Sequence, residues 1–224
     1  MTEAPIATAR HALEFVSNGQ TLGLGSGRAA AAFVEALGER VRAGLRVRGV
    51  PTSVATAELA ERVGIPLVTL EEAGELDVAF DGADEVDPRL DCIKGYGGAL
   101  VREMIVAASA RRFVVLVGAE KMVASLGEHG KIPVEIVPYA LPLARRRLAA
   151  LGLEPMVRMG KDGNSYLTDN GNWILDCGTR PISDAARLER EIRTLPGVVG
   201  TGLFLGMANV VLVQEGEKVR VLER

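Results

Sequence analysis

Apolar positions along the chain alternate between two periods, and that alternation orders its first half. A helical spacing over 7–16, stopped by Asn18-Gly19, predicts the first helix. A short apolar stretch at 21–25 predicts a strand, and an alanine-rich helical pattern fills 29–37 with Gly38 expected near its end. Further strands are expected at 45–50, 67–70, 77–81 and 113–117. Further helices are expected at 53–63, with Ser53 as N-cap, and at 100–110. The run Phe113-Val114-Val115-Leu116-Val117 is apolar at every position, as expected of a strand covered on both faces. Strands alternating with helices predict a mainly parallel sheet with helices on both sides, a Rossmann-like α/β arrangement.

The second half follows another rhythm. A strand pattern at 134–137 and a helix at 141–151 precede strands at 155–159, 165–167 and 173–176. A helix at 184–193 and a strand at 198–201 follow. Asp169-Asn170-Gly171-Asn172 suits a hairpin turn, because Asn-Gly tolerates positive φ. This order predicts a second, smaller α+β module of split-βαβ, ferredoxin-like type. The strand-like tail, 203–213 and 219–222, is expected to return to the first sheet. The expected division is therefore 1–130 plus 202–224 for the Rossmann-like domain and 131–201 for the small one.

Composition narrows the function. Hydrophobic residues make up 48% of the 224, enough apolar surface to rule out a disordered chain. A net charge of −3 offers no basic field for a phosphate backbone, and 4% aromatics offer no stacking platform, so nucleic acid is not an expected partner. Two cysteines exclude a disulfide framework and suit a reducing, cytoplasmic setting. Residues 1–10 carry no signal pattern, and no apolar run approaches the roughly 20 residues that span a bilayer. His11 and His129 lie far apart, and no Cys/His spacing reads as a metal site.

Four clusters, each placed after a strand, carry candidate chemistry. Gly23-Leu24-Gly25-Ser26-Gly27-Arg28 joins a strand to a helix, where glycines let backbone N–H groups face an anion. It is neither the dinucleotide fingerprint nor a P-loop, and a plain tight turn uses the same glycines. Asp81-Gly82-Ala83-Asp84-Glu85-Val86-Asp87 gathers four acids whose mutual repulsion can raise a pKa and yield an acid/base pair; a solvated acidic loop is the commoner use of such a run. Lys94-Gly95-Tyr96-Gly97-Gly98 puts a lysine beside a turn that a substrate can approach closely, and leads into a helix with the apolar stripe Leu100, Val101, Met104, Ile105 and Ala108. Glu103 falls off the flank of that stripe, where a solvated carboxylate is the ordinary outcome. Glu120-Lys121 follows the apolar strand, and alone Lys121 is an ordinary surface lysine. All four converge on the edge of a parallel sheet where ligands bind, and together suggest a small anionic substrate and acid/base chemistry.

On these residues the chain resembles the ribose-5-phosphate isomerase A family, nearly end to end. Asp81-Gly82-Ala83-Asp84-Glu85 is similar to that family's DGADE motif. Lys94-Gly95-Tyr96-Gly97-Gly98-Ala99-Leu100 resembles its lysine–glycine loop, and Arg102-Glu103 with Ile105-Val106 its REKIV helix. Pro133-Val134-Glu135, Thr168-Asp169-Asn170-Gly171-Asn172 and Pro196-Gly197-Val198-Val199 resemble later signatures. The resemblance implies interconversion of ribose 5-phosphate and ribulose 5-phosphate, with no metal or organic cofactor, by a homodimer or homotetramer. Glu103 would be the base moving a proton between C2 and C1. Asp81 and Asp84 would handle hydroxyl protons and ring opening, and Lys94 the enediolate. Gly25, Ser26, Gly27, Arg28, Ala29, Gly95, Gly97, Gly98 and Lys121 would bind substrate.

The departures fall on the phosphate side. The family's first loop usually reads Gly-Thr-Gly-Ser-Thr-Ala, and here Arg28 and Ala29 replace two hydroxyl residues. Residues 5–8 hold no lysine where the family often has one in its first helix. Lys121 follows Glu120 rather than a hydroxyl residue, and Tyr96 stands where the family has a third loop glycine. One reading is that the Arg28 guanidinium supplies the missing cation and hydroxyls. The others are a changed sugar phosphate or sugar acid, or a silent sugar-phosphate-binding module.

Overall fold

The computed structural model describes residues 6–224, so the earlier part of the stretches 1–10 and 5–8 lies outside the described residues. In chain order the elements begin with α1 (Ile6–Ala12), prolonged by a 3-10 turn over Leu13–Phe15, then β1 (Thr21–Leu24), α2 (Gly27–Arg42), β2 (Arg48–Pro51), α3 (Val54–Val63) and α4 (Leu70–Ala73). β3 (Val78–Gly82), β4 (Glu85–Val86), β5 (Cys92–Ile93), α5 (Leu100–Ala108) and β6 (Phe113–Gly118) follow. The remainder is β7 (Lys131–Ile136), α6 (Leu141–Ala150), β8 (Glu154–Val157), β9 (Trp173–Gly178), α7 (Ala185–Arg193), β10 (Val198–Thr201), β11 (Leu203–Phe204), β12 (Val210–Glu215) and β13 (Lys218–Glu223).

The first of two compact units runs up to Ala83 and adds Arg102–Lys121 and Met207–Arg224. Its sheet has the order β13-β12-β6-β3-β1-β2. Every neighbour pair is parallel except β12 with β13, which form an antiparallel hairpin at the edge. β6 is buried from Phe113 to Val117, as its unbroken apolar run demands. Leu22, Leu24, Phe33, Leu37, Phe80, Leu116 and Leu212 fill the core, and the rings of Phe33 and Phe80 stack 4.1 Å apart.

Two sequence expectations fail here for physical reasons. Helix α2 does not end near Gly38; it continues to Arg42. Gly38 is a contact residue, since a Cβ there would fall 2.6 Å from the Val63 side chain on α3. The strand expected at 67–70 shrinks to a single bridge between Gly49 and Leu67. Thr69 and Glu72 form a capping box instead, which starts the short helix α4 at Leu70.

The second unit comprises Asp84–Val101 and Met122–Gly206. Its four strands lie in the antiparallel order β10-β7-β9-β8, with α6 and α7 as crossovers, which is the split-βαβ arrangement. Alternation along β7 sends Ile132, Val134 and Ile136 into a core with Ala144, Leu148, Leu175, Cys177 and Ile192. The intervening positions Lys131, Pro133 and Glu135 belong to the opposite face, as does Asp176, which pairs with Pro133.

The unit boundaries differ from 1–130 plus 202–224 and 131–201. β4, β5 and β11 pair into a three-stranded sheet of the second unit, and Glu85 accepts from the N–H groups of Gly127 and His129. The tail accordingly divides: β11 stays with β5, while β12 and β13 complete the first sheet. The strand expected at 165–167 is reduced to bridges from Ser165 to Met159 and from Leu167 to Trp173. The hairpin turn is present, with Gly171 at φ +76 and its N–H on the Thr168 carbonyl.

Candidate functional site

In the first unit, the parallel register places the ends of β1, β3 and β6 along one sheet edge. The loop after β1 carries Gly25, Ser26 and Gly27, and β3 ends with Asp81-Gly82. The two are joined by backbone geometry. The Gly25 N–H donates to the Phe80 carbonyl at 2.8 Å, and the Ser26 N–H to Asp81 Oδ1 at 3.0 Å. The Gly82 N–H donates to the same carboxyl oxygen at 2.8 Å. Gly25 is needed for this approach, because a Cβ there would lie 2.3 Å from the Asp81 carboxyl carbon. Asp81 is buried, and the two amides hold its carboxyl oxygen in place.

Gly27, at φ +83, starts the 16-residue helix α2, whose first turn holds Arg28 and Ala29. Arg28 is exposed there and Ala29 half-buried. The helix N-terminus and a guanidinium together make a region suited to an anion. Ser26 does not use its hydroxyl to cap the helix. Its Oγ lies 2.6 Å from Thr52 Oγ1, and Thr56 Oγ1 donates to the Gly25 carbonyl at 2.9 Å. Thr52 and Thr56, both after β2, carry no local motif that would mark them in the sequence. Lys121 ends a 3-10 turn directly after β6 and is half-buried.

Glu103 departs most from its expectation. It is 4% exposed, whereas Ile105, assigned to the apolar stripe, is 47% exposed. The buried face of α5 is Leu100, Glu103, Val106 and Ala107. Its cause is Gly23 of β1, where a Cβ would fall 2.5 Å from Val106 Cγ1: the missing side chain lets this face approach the sheet. Glu103 lies one helical turn before Val106 and shares its face. Burying a carboxylate is costly, which makes Glu103 a candidate for chemistry.

In the second unit, Lys94 is 2% exposed. Its N–H donates to the Gly202 carbonyl at 2.9 Å, and its Nζ stands 5.4 Å from the Phe204 ring centroid. The turn beyond it closes through Gly98 N–H to Gly95 carbonyl, with Gly95 at φ +103 and Gly98 at φ +94. Gly97 is exposed, with no atom within 4 Å of a Cβ position. Position 96 has no positive φ, so the turn accommodates tyrosine where the family has glycine. The Tyr96 hydroxyl donates to the Lys131 carbonyl at 3.2 Å, and Lys131 Nζ sits 4.4 Å above its ring. Burial, then the charges of Glu85, Asp84 and Asp176, push the phenol well above its ordinary pKa, so it stays neutral.

The carboxyls of the acidic run take different donors. Asp84 Oδ2 accepts from the Tyr96 N–H at 2.9 Å, Glu85 from the two amides given above, and Asp87 from the N–H groups of Arg89 and Asp91 and the Arg89 side chain. No group of three or more His, Cys, Asp or Glu among the described residues has the arrangement of a metal site. A further charged set also escaped the sequence reading. Arg158 donates to both oxygens of Asp176, at 3.0 and 2.5 Å, and to the carbonyls of Gly95 and Tyr96. No local motif announces it, because its members lie up to 81 residues apart: Gly95 to Asp176 is 176 − 95.

The family model of ribose 5-phosphate isomerase A (phosphoriboisomerase A) matches residues 48–218. A ribose-5-phosphate isomerase A of Nitrobacter hamburgensis is 48% identical over 223 residues, covering 96% of this chain and 95% of the relative. One from a Roseiflexus species is 51% identical over 207 residues, covering 92% and 89%. Among solved structures, ribose 5-phosphate isomerase A of Methanocaldococcus jannaschii superposes with a TM-score of 0.94 at 43% identity, covering 99% of this chain and 98% of that one. A D-ribose-5-phosphate isomerase in complex with phospho-erythronic acid gives 0.96 at 38% identity, with both chains fully covered.

Proposed function

This chain belongs to the ribose 5-phosphate isomerase A family, and from that membership we propose how its residues divide the interconversion of ribose 5-phosphate and ribulose 5-phosphate. The reaction is an aldose–ketose isomerisation of the pentose phosphate pathway. One proton leaves C2 of the open-chain aldose and returns at C1. A second leaves the C2 hydroxyl, and the former aldehyde oxygen gains one, so atoms and charge balance. Glu103 is the base that carries the first proton. Asp81 and Asp84 carry the hydroxyl protons and assist ring opening, and Lys94 faces the enediolate oxygen. Gly25, Ser26, Gly27, Arg28, Ala29 and Lys121 hold the phosphate end, and the turn of Gly95, Gly97 and Gly98 admits the sugar.

The observation that carries this reading is the burial of Glu103 against the pattern of its own helix. A positioned general base contributes about 10²–10⁴-fold. Removing one oxyanion stabiliser costs about 3–4 kcal/mol, so base and cation are both required. Ligation of a metal is not part of the scheme.

Turnover of ribose 5-phosphate by purified enzyme in the presence of a chelator tests it. Glu103→Gln is expected to abolish turnover while the protein stays folded. Arg28→Ala is expected to raise KM sharply with a smaller fall in kcat, because a guanidinium binds phosphate in ground and transition states alike. Full turnover by E103Q overturns the base assignment, and an unchanged KM in R28A overturns the phosphate assignment.

Two coarser features belong to the same proposal. No helix among the described residues is long and apolar enough to cross a membrane, and the buried free thiols of Cys92 and Cys177 suit the reducing cytoplasm. Assembly as a homodimer or homotetramer fits the apolar side chains that the second unit exposes: Tyr139, Met156, Met159 and Leu167.

A further inference from the structure

The lysine–glycine turn of the second unit is held by side chains that the reaction scheme does not use. The Arg158 guanidinium is 11% exposed, and both of its edges are occupied. One edge grips Asp176 through Nε and Nη2, in the paired geometry that a guanidinium and a carboxylate share. Nη1 donates to the carbonyls of Gly95 at 3.0 Å and of Tyr96 at 3.1 Å. Asp176 also accepts from Lys131 Nζ at 3.3 Å, and that ammonium lies over the Tyr96 ring. Asp176 therefore organises two cations, one on the backbone of the turn and one on its aromatic side chain. Its carboxyl sits below the ordinary aspartate range. Burial works to raise it, and the bonds and charge of Arg158, with Lys131, prevail.

The geometry around one peptide gives this network a direction. A trans peptide points its carbonyl and its N–H to opposite sides. The peptide joining Gly95 to Tyr96 has its carbonyl on Arg158 and its N–H on Asp84 Oδ2 at 2.9 Å. Gly95 and Gly98, both at positive φ, leave this segment free to rotate in an unrestrained chain. The bond at each end removes that freedom.

We infer that Arg158, oriented by Asp176, is a positioning residue that fixes the 95–96 peptide and through it the carboxylate of Asp84. This rests on the proposed role of Asp84 in the isomerisation. Arg158 acts on the backbone of the turn and on Asp176, and its part in the reaction is to position Asp84. Its loss releases the 95–96 peptide that aims Asp84, so the larger effect falls on kcat, with a smaller change in KM from the turn that admits the sugar.

The test is a double-mutant cycle on the purified enzyme with ribose 5-phosphate: R158M, D84N and the combination, with thermal unfolding as the check on folding. Misplacement of a reacting group by about 1 Å can cost about 10²-fold, so R158M is expected to lower kcat by about 10–100-fold with KM changed less than about 3-fold. With Asp84 already lost, R158M is expected to remove no more than about a further 3-fold, because coupled residues are not additive. R158K is expected not to rescue, since an ammonium cannot span a carboxylate and two carbonyls. The inference is overturned if R158M keeps kcat within about 3-fold of the parent, or if the two losses multiply in the double variant. Parental turnover by D84N alone would instead sink the role of Asp84, and that result is read without any Arg158 variant. Should R158M fail to fold, D176N is measured in the same cycle. It leaves the guanidinium on the carbonyls but loosens its far edge, with an expected fall of about 3–10-fold in kcat; an unchanged kcat overturns the inference.

Discussion

The two units hold their candidate residues by different means. In the first, Asp81 is fixed by backbone amides of the loop beside it, and the approach depends on a missing Cβ at Gly25. In the second, the turn after Lys94 is fixed by charged side chains from β7, β9 and the segment after β8. The first device is steric and rests on backbone amides. The second is electrostatic and assembled from distant positions. A chain that relies on both has one half that tolerates no added atom and another that tolerates no lost charge.

Gly25→Ala breaks the steric half and carries the largest expected effect. Its Cβ would overlap the Asp81 carboxyl and approach the Phe80 carbonyl, so the loop must move off β3. Overpacking of this kind costs about 1–3 kcal/mol of stability. Displacing Asp81 is expected to lower kcat/KM by about 10²-fold or more. Unfolding and steady-state kinetics on the same preparation check both, and wild-type kinetics would show that the close approach is dispensable.

Asp176→Asn sharpens the electrostatic half through pH. Asp176 is held below its ordinary pKa in the folded protein. Its contribution is therefore complete above the unfolded value of about 3.9 and is lost as pH falls through the lower, folded value. The difference in Tm between parent and D176N is expected to stay level at neutral pH and to close in acid below about pH 4. A difference that widens on acidification would contradict the ion pair.

The smallest effect is expected at Gly97, which is exposed, has no positive φ and has open space at its Cβ position. Gly97→Ala is expected to leave stability within about 0.5 kcal/mol, as at an ordinary surface position. If sugar passes over this turn, KM rises several-fold while Tm stands still. An unchanged KM would remove Gly97 from the binding residues and leave the turn's other glycines to Gly95 and Gly98, which positive φ explains.

What was legible in the sequence follows the same division. The parallel sheet could be read because Phe113–Val117 is apolar throughout and turns of known chemistry separate the strands. The loop at Gly25 and the Asp81 run could be read because each is a contiguous motif after a strand. Glu103 was misplaced by its helical wheel, because the face that packs is chosen by Gly23 on a strand 80 residues earlier, 103 − 23. Periodicity within α5 contains no record of that choice. Gly38 was misread for the same reason: a glycine inside a helix looks like a stop until Val63 is found against it. Arg158 and Asp176 were invisible because a salt bridge between distant elements leaves no spacing to detect.

The order of strands in the first sheet bears on how the chain is made. β12 lies between β6 and the edge hairpin strand β13, and four of its residues, Val210 to Val213, are buried. The opening helix is tied to the same strand, since the Ala7 N–H donates to the Gln214 side chain at 3.1 Å. During synthesis the apolar strand β6, which ends at Gly118, must therefore wait until Val210 for its second neighbour, β12. Through that interval it presents an unpaired, uncharged edge, the surface on which chains join one another by mistake. The larger part of the second unit, Met122–Gly206 with the four strands of its antiparallel sheet, is translated within the wait, so the small sheet is complete in sequence before residues 210–215 can finish the large one.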